Sequence, residues 1–420
     1  MNELTVKRIG QKTALILMLA WTIDYMDRFV VSLALPSIGA EFHLSKAEQG
    51  LIVTTFAVVY MCMQVPAGLI ADRVPSKPLL LTTLVFWSVF TALTGLATGF
   101  IMLLVFRGLF GVCQGLYPPT SFKALSERSM PEQRGGLTGF MMSAQGLGPG
   151  IAPLVAAPLM AMVGWRHTFT YFALAGLVIG VILFALIPKP LPRHLTDEHA
   201  EQVDEQALDA SLPAVSQAEV LRSPNMWKLA GLWCVLNIVN YGLITWVPSY
   251  LMEVRKVALA DTGILASIPM LITILTTWLG GWLFDRYFHN RTRWFIIPIW
   301  ATTGILLVLM IMAKSTLTFT LFVTLANGVS CLATMAIFGI PLRVLPRDRT
   351  GTATGLINVG GQIAGAASPL IMGLLADAYS FTAAFGFLVV GTIVGVIIGF
   401  RVPNRTEDFT IKKAKATVTT

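Results

Sequence analysis

Apolar runs of about 20 residues recur along the whole chain, each long enough to cross a hydrocarbon core of about 30 Å. Backbone polar groups in lipid must be satisfied within their own segment, so each run is expected to be a helix. Twelve spans are read, at residues 13–38, 46–70, 77–98, 100–126, 134–159, 165–187, 225–252, 259–284, 293–313, 316–342, 350–376 and 380–401. Composition agrees with that reading. Of 420 residues, 55% are hydrophobic and only 12% are charged, where a soluble protein carries about 25% charged residues. The first span is too long and too polar at its centre for a cleavable signal peptide, and no small-residue cleavage site follows it.

The net charge of +8 does not point to nucleic acid, because the basic residues are distributed as membrane topology demands. Suppose both termini face the cytoplasm. Of the 30 Lys and Arg, Lys46, Arg166, Arg255, Lys256 and Lys314 then fall outside, Arg28 and Arg107 lie within spans, and the other 23 face the cytoplasm. That asymmetry follows the positive-inside rule and predicts a multi-pass plasma (inner) membrane protein with cytoplasmic termini. Cys62, Cys113, Cys234 and Cys331 sit far apart inside spans, with no CxxC or His/Cys spacing. They read as buried apolar residues, and no metal or other cofactor is expected.

Residues 188–224 form a polar stretch bounded by Pro188, Pro190, Pro192 and Pro213 and rich in acids, among them Asp197, Glu198, Glu201, Asp204 and Glu205. It reads as a cytoplasmic linker. The predicted units are thus a bundle at 1–187, the linker at 188–224, a second bundle at 225–401 and a cytoplasmic tail at 402–420. The halves repeat. Gly68-x3-Asp72-Arg73 recurs as Gly281-x3-Asp285-Arg286, Pro153 matches Pro369, and Phe169 matches Phe385. Internal repeats in a polytopic membrane protein mark transporters, whose two bundles rock around a central site.

Four ionisable side chains lie deep in the spans: Asp24, Asp27, Arg28 and Arg107. A charge at bilayer depth costs roughly 2.5–3.5 kcal/mol on insertion scales, so it needs a reason to be there. The spacing i, i+3, i+4 predicts that Asp24, Asp27 and Arg28 share one helical face turned into the bundle. Arg28 and Arg107 each offer a planar fork of donors to a carboxylate. The chemical reading is an anion site with an acid beside it; the alternative is a salt-bridged contact between helices. No His or Glu lies mid-span, which leaves Asp24 and Asp27 as candidates for proton coupling. When a substrate carboxylate takes over a guanidinium, the displaced aspartate prefers a proton.

At these motifs the chain resembles the major facilitator superfamily over essentially its full length. Gly68-Leu-Ile-Ala-Asp72-Arg73-x3-Lys77 resembles the signature between spans two and three, and Arg107-Gly-x2-Gly111-x2-Gln114-Gly115 the fourth-span motif. Gly146-x-Gly148-Pro149-Gly150 resembles the fifth-span glycine-proline motif. Asp24-Tyr25-Met26-Asp27-Arg28, with Ser32 and Pro36, is similar to the anion:cation symporter branch, which carries sugar acids and sialic acid. The resemblance implies an all-α membrane protein, with twelve transmembrane helices in two pseudo-symmetric six-helix bundles.

It also implies a secondary transporter of a small organic anion, coupled to protons and working as a monomer in the lipid bilayer. Tyr60 and Gln145 match cavity positions of the resembled carriers. Asn237, Asn240 and Tyr241 in span seven, with Asn358 and Gln362 in span eleven, are their counterparts in the second half. These neutral groups suit hydroxyls or a second carboxylate, or else hydrogen bonds between helices. Asp72, Arg73 and Lys77, with Asp285 and Arg286, are expected to act in gating.

Three positions depart from the pattern. Pro75 replaces a glycine, Asp24 replaces an Asn, and Gln114 stands where proton-coupled members often have Glu. Either the second acid has moved from span four to span one, or a single acid titrates. Other classes lack their parts. No nucleophile–base pair or ligand cluster lies in the spans to make a membrane enzyme, and the absence of any Gly-Lys dipeptide removes a phosphate loop. Efflux or antiport is the competing reading within transport, and the repeats argue against a channel or receptor.

Overall fold

A computed structural model describes residues 3–192 and 215–409. Every regular element among them is helical. The first half holds α1 (Glu3–Phe42), α2 (Lys46–Arg73), α3 (Ser76–Gly95), α4 (Phe100–Ser126), α5 (Pro131–Met142) and α6 (Ala144–Ala185). After the short α7 (Gln217–Arg222) come α8 (Pro224–Glu253), α9 (Leu259–Leu283) and α10 (Thr292–Met312). The chain continues through α11 (Thr316–Cys331), α12 (Ala333–Val344), α13 (Arg347–Ala378) and α14 (Phe381–Arg401). Most of the linker, with Asp197, Glu198, Glu201, Asp204 and Glu205, and the end of the tail, with Lys412, Lys413 and Lys415, lie outside the described residues.

Ten stretches among the described residues are long and apolar enough to cross a membrane. One of them, Glu132–Ala185, has 54 residues and would measure about 80 Å as a single helix. It is broken at Gly164, whose φ of +77° is a conformation that glycine adopts without steric cost. The fifth span is therefore α5 with the first part of α6, and the sixth is the remainder of α6. α1 stays outside the set of ten because Asp24, Asp27 and Arg28 interrupt its apolar run. Counting the long stretch twice and adding α1 gives the twelve expected spans. α11 and α12 together make the tenth.

Each half packs around its own apolar cores. Trp87, Phe110, Tyr117 and Phe184 anchor one in the first half, and Trp246, Leu307, Phe319 and Phe385 one in the second. In lipid this packing is held by van der Waals contact and interhelical hydrogen bonds, since the tails are as apolar as leucine. The chain is thus a multi-pass, all-α membrane protein of two bundles. The expectation of four buried cysteines holds for Cys113 and Cys331, is only half met by Cys234, and fails at Cys62, which is exposed on α2. Its stretch of α2 turns several neighbours outward, Val65 and Leu69 among them.

The halves meet through α2 against α13, α6 against α9, and α1 against α8. Their contact is uneven along the bilayer normal. At the end bearing Lys46 and Asp377, a Cβ on Gly50 would lie 2.5 Å from the carbonyl oxygen of Pro369, and one on Gly373 would strike that of Lys46. At the basic end, near Arg73 and Lys77, a Cβ on Gly68, Gly135, Gly139, Gly351 or Gly355 would meet open space. The side-chain hydrogen bonds described between the halves lie at or toward the Lys46 end, so the bundles are joined there and a cleft opens on the basic side.

Candidate functional site

α1 and α4 run antiparallel, joined by a ladder of polar contacts. Trp21 Nε1 donates to Ser121 Oγ at 3.0 Å, and Gln114 Nε2 donates to the backbone oxygen of Asp24 at 3.3 Å. At the top of this ladder sits Arg28. Its Nη2 lies 2.7 Å from Asp24 Oδ2, and its Nε donates to Gln114 Oε1 at 2.8 Å. The guanidinium lies over the rings of Tyr60 and Tyr25 at 4.5 and 4.9 Å. One carboxylate, one amide and two phenol rings thus hold a single cation, with Tyr241 of the second half nearby.

Asp27 departs from the expected common face. Adjacent helical residues are turned by about 100°, so Asp27 points away from Arg28, back into the first bundle. There its carboxylate neighbours Trp87 on α3, Arg107 on α4 and Gly176 on α6. The spacing argument holds for the i, i+4 pair and fails for the third member.

Arg107 is also inside the bundle, only 2% exposed. Its guanidinium packs over Phe110 at 4.7 Å and Phe56 at 5.2 Å. The Phe56 ring lies 5.5 Å from the Arg28 guanidinium as well. Phe56 therefore stands between two cations: Arg28 is ion-paired with Asp24 at the seam between the halves, and Arg107 lies behind the ring near Asp27, without an ion-pair contact. Arg107 Nε and Nη2 find no hydrogen-bond partner, nor do the oxygens of Asp27.

The neutral residues fall into place unevenly. Tyr60 is buried beneath Arg28, and Tyr241 faces Phe29 at 6.5 Å between centroids. Gln145 is exposed, with its amide on Met142 Sδ, and Asn358 is exposed on α13. Gln362 is half-buried one turn further along the same helix. Asn237 donates to Trp233 O of its own helix at 2.8 Å, while Asn240 points to Cys331 Sγ. Beyond Arg28, toward the opposite face, Phe29, Leu33, Pro149, Leu243, Val247 and Met270 line a small, mostly apolar cavity between the halves.

At the basic face Asp72 and Arg73 are exposed, and Lys77 is half-buried. Lys123 Nζ donates to the carbonyls of Ala71 at 2.7 Å and Val74 at 3.0 Å, closing the end of α2. In the second half Asp285 pairs with Arg343 at 2.6 Å, and Arg286 lies over Tyr287. These contacts stay within one bundle.

The contacts that do cross were missed by sequence reasoning. Asp377 at the end of α13 accepts from the backbone N–H groups of Lys46 and Ala47, both at 2.7 Å. Lys46 Nζ reaches Glu253 of α8 at 2.6 Å. Deeper in, Thr54 Oγ1 donates to Ala366 O at 2.7 Å. No local pattern announces such pairs, because their partners lie in the other half of the chain.

Two bundles closing at one face, parting at the other and enclosing a mid-membrane charged site define a membrane transporter of the alternating-access kind. The chain belongs to the Major Facilitator Superfamily, whose profile matches residues 17–369; its members are transporters and not enzymes. It is 28% identical over 400 residues to the probable sulfoacetate transporter SauU of Cupriavidus necator, covering 91% of this chain and 90% of the relative. It is 25% identical over 373 residues to a hexuronate transporter of Bacillus subtilis, covering 86% and 87%. A D-galactonate transporter of Escherichia coli is 23% identical over 408 residues, covering 92% and 93%. Among solved structures, a bacterial homolog of the human lysosomal transporter Spinster, in an inward-facing and unoccupied conformation, superposes with a TM-score of 0.84. That match covers 97% of this chain and 99% of that one at 19% identity, a likeness of fold.

Proposed function

We propose that this chain is a secondary transporter of a small organic anion, taken up with protons across the plasma (inner) membrane by a monomer with cytoplasmic termini. The observation that carries the reading is Arg28, a guanidinium held at membrane depth beside the cleft by Asp24, Gln114 and Tyr60. A buried cation with one labile counter-ion is a place for an exchangeable anion. Sulfoacetate, hexuronates and D-galactonate, named for three of the relatives, are all small organic anions.

In this reading the empty carrier stores Arg28 against Asp24. A substrate carboxylate arriving from the cleft takes the Nη face of the guanidinium, and Gln114 keeps its hold on Nε. Asp24, buried and no longer paired, then takes a proton. Gln114 cannot titrate, and Asp24 contacts the same guanidinium that it clips; this geometry favours the moved acid over the single one. Asp27, near Arg107, is the first-span acid that Asp24 joins in coupling. Tyr60, Gln145, Asn237, Tyr241, Asn358 and Gln362 serve the body of the substrate, Arg107 acts from behind Phe56 without touching the substrate, and Asn240 is more remote. Asp72, Arg73, Lys77, Asp285 and Arg286 gate the basic face once the bundles rock.

The test is uptake of labelled D-galactonate, glucuronate and sulfoacetate into proteoliposomes across an imposed pH gradient. Accumulation that a protonophore collapses is the expected result. A carrier that takes up none of these acids, or accumulates them equally without the gradient, would refute the assignment.

A further inference from the structure

We infer that the site selects anions carrying a single charge, monocarboxylates bearing hydroxyls, and discriminates against dianions. This deepens the proposed function and rests on it. Of the two mid-span cations, only Arg28 lies at the seam between the halves, with Tyr241 of the second half beside it. Its guanidinium lies over the rings of Tyr25 and Tyr60. Arg107, which the sequence offers as a second clamp, lies behind the Phe56 ring with Asp27 as its counter-charge.

The second bundle adds no cation at this depth. Its basic residues among those described, Lys228, Arg255, Lys256, Arg343 and Arg401 for example, stand at or beyond the ends of its helices. What it offers near Arg28 is neutral: Tyr241, and further along the cleft Asn237, Asn358 and Gln362. Amides and a phenol can donate and accept toward substrate hydroxyls. They cannot neutralise a second carboxylate held away from water, and an unpaired buried charge is strongly disfavoured.

Charge balance leads to the same point. Arg28 and Asp24 sum to zero in the empty carrier. With a monoanion on Arg28 and a proton on Asp24, the Arg28 end of the site is again neutral; a proton on Asp27 would free the charge of Arg107 only behind the Phe56 ring. A dianion would bring a second negative charge that no cation on the near side of Phe56 meets. Relatives named for a sulfoacetate and for galactarate and D-glucarate handle dianions; this chain is expected to differ from them in charge preference while sharing their fold.

The experiment compares matched pairs on the whole protein in lipid nanodiscs, at about pH 7.5 where both carboxylates of a diacid are ionised. D-gluconate is set against D-glucarate, and D-galactonate against galactarate, by thermal stabilisation and by competition for uptake. Half-saturation for each monoanion is expected to be at least about tenfold lower than for its dianion, and Arg28→Lys should weaken the monoanion effect. Equal or tighter binding of the dianions, lost in Arg28→Lys, would overturn the inference and leave the organic-anion reading standing. No stabilisation by any carboxylate or by sulfoacetate would overturn the organic-anion reading and this inference with it. Gln362→Arg supplies a positive control in the other direction: a cation on α13 should narrow the ratio between gluconate and glucarate.

Discussion

Removing the Asp377 carboxylate should open the face that is now shut. Its two oxygens accept from the first two N–H groups of α2, which belongs to the other bundle, at 2.7 Å each. Hydrogen bonds to a charged group contribute about 1.5–3 kcal/mol when buried, and an anion at a helix N-terminus about 0.3–1 kcal/mol. Asp377 is exposed, so solvent screening reduces the sum to about 1.5 kcal/mol. That amount is worth about a tenfold shift between closed and open. α2 itself should survive the change, because Ser45 and Glu48 form a capping box of its own.

Asp377→Ala therefore tests the contact between bundles and not the helix. Spin labels at Thr98 and Lys314, on loops of the two halves at the opposite face, would report the separation by double electron–electron resonance in a background without native cysteines. The open population should rise about tenfold, with a further small rise on adding Glu253→Gln, whose partner Lys46 is partly exposed. An unchanged distance distribution in both variants would refute the idea that these contacts hold the face closed.

Other outcomes follow from the site. Arg28→Lys keeps a charge beside Asp24 but loses the fork, and uptake should fall by about tenfold to a hundredfold; wild-type uptake would remove Arg28 from substrate contact. Arg28→Ala should also cost about 3–5 kcal/mol of stability, since it strands Asp24 in the bundle, visible as a lower unfolding temperature that Asp24→Asn restores. Asp24→Asn should reduce the proton:substrate ratio, and adding Gln114→Glu should recover coupled uptake; an unchanged ratio in the single variant leaves Asp24 a structural partner. Asp27→Asn should preserve exchange of internal for external substrate and abolish gradient-driven accumulation, measured in the same vesicles. At the opposite face, hydrogen bonds from Arg166 hold the Glu41 carboxyl below the usual glutamate range. Their stabilisation is present above the ordinary value of about 4.3 and lost as pH falls through the lowered one, so melting temperature in acid should drop less for Glu41→Gln than for the wild type.

Much of the fold was legible because lipid makes the backbone argument strict. Span lengths, the halves and the break near Gly164 all follow from apolar run length and from glycine. The site was legible by residue type and only partly by geometry. Four mid-span charges had to pair somehow, yet spacing along α1 placed three of them together when only Asp24 and Arg28 share a partner. The decisive separator, Phe56, is one phenylalanine among 24 in the chain, and nothing local marks it as lying between two guanidiniums. Lys46, Asp377 and Glu253 were invisible for a related reason. A pair 331 residues apart has no signature in a single sequence, and a charged residue at a helix end reads as solvated.

The latch and the anion site are connected through one rigid element. α2 carries Lys46 and Gly50 at the closed face, Thr54 in the middle, and Phe56 and Tyr60 against Arg28. From Lys46 to Phe56 is about 15 Å of continuous helix. Its partner α13 presents Asp377, Pro369 and Ala366 to these same residues, and Gly365 packs on the ring of Tyr241. A ligand moves such an equilibrium only by binding the two states differently. In the proposed reading, substrate on Arg28 would meet Tyr60 on α2 and Tyr241 beside α13, and so touch both sides of the pair whose far ends join the halves. Under the proposed coupling, proton uptake by Asp24 would release its ion pair with Arg28 and leave Gln114 of α4 as the remaining hold on the guanidinium. On that proposal, binding, protonation and release of the opposite face would all act on a single joint, α2 against α13.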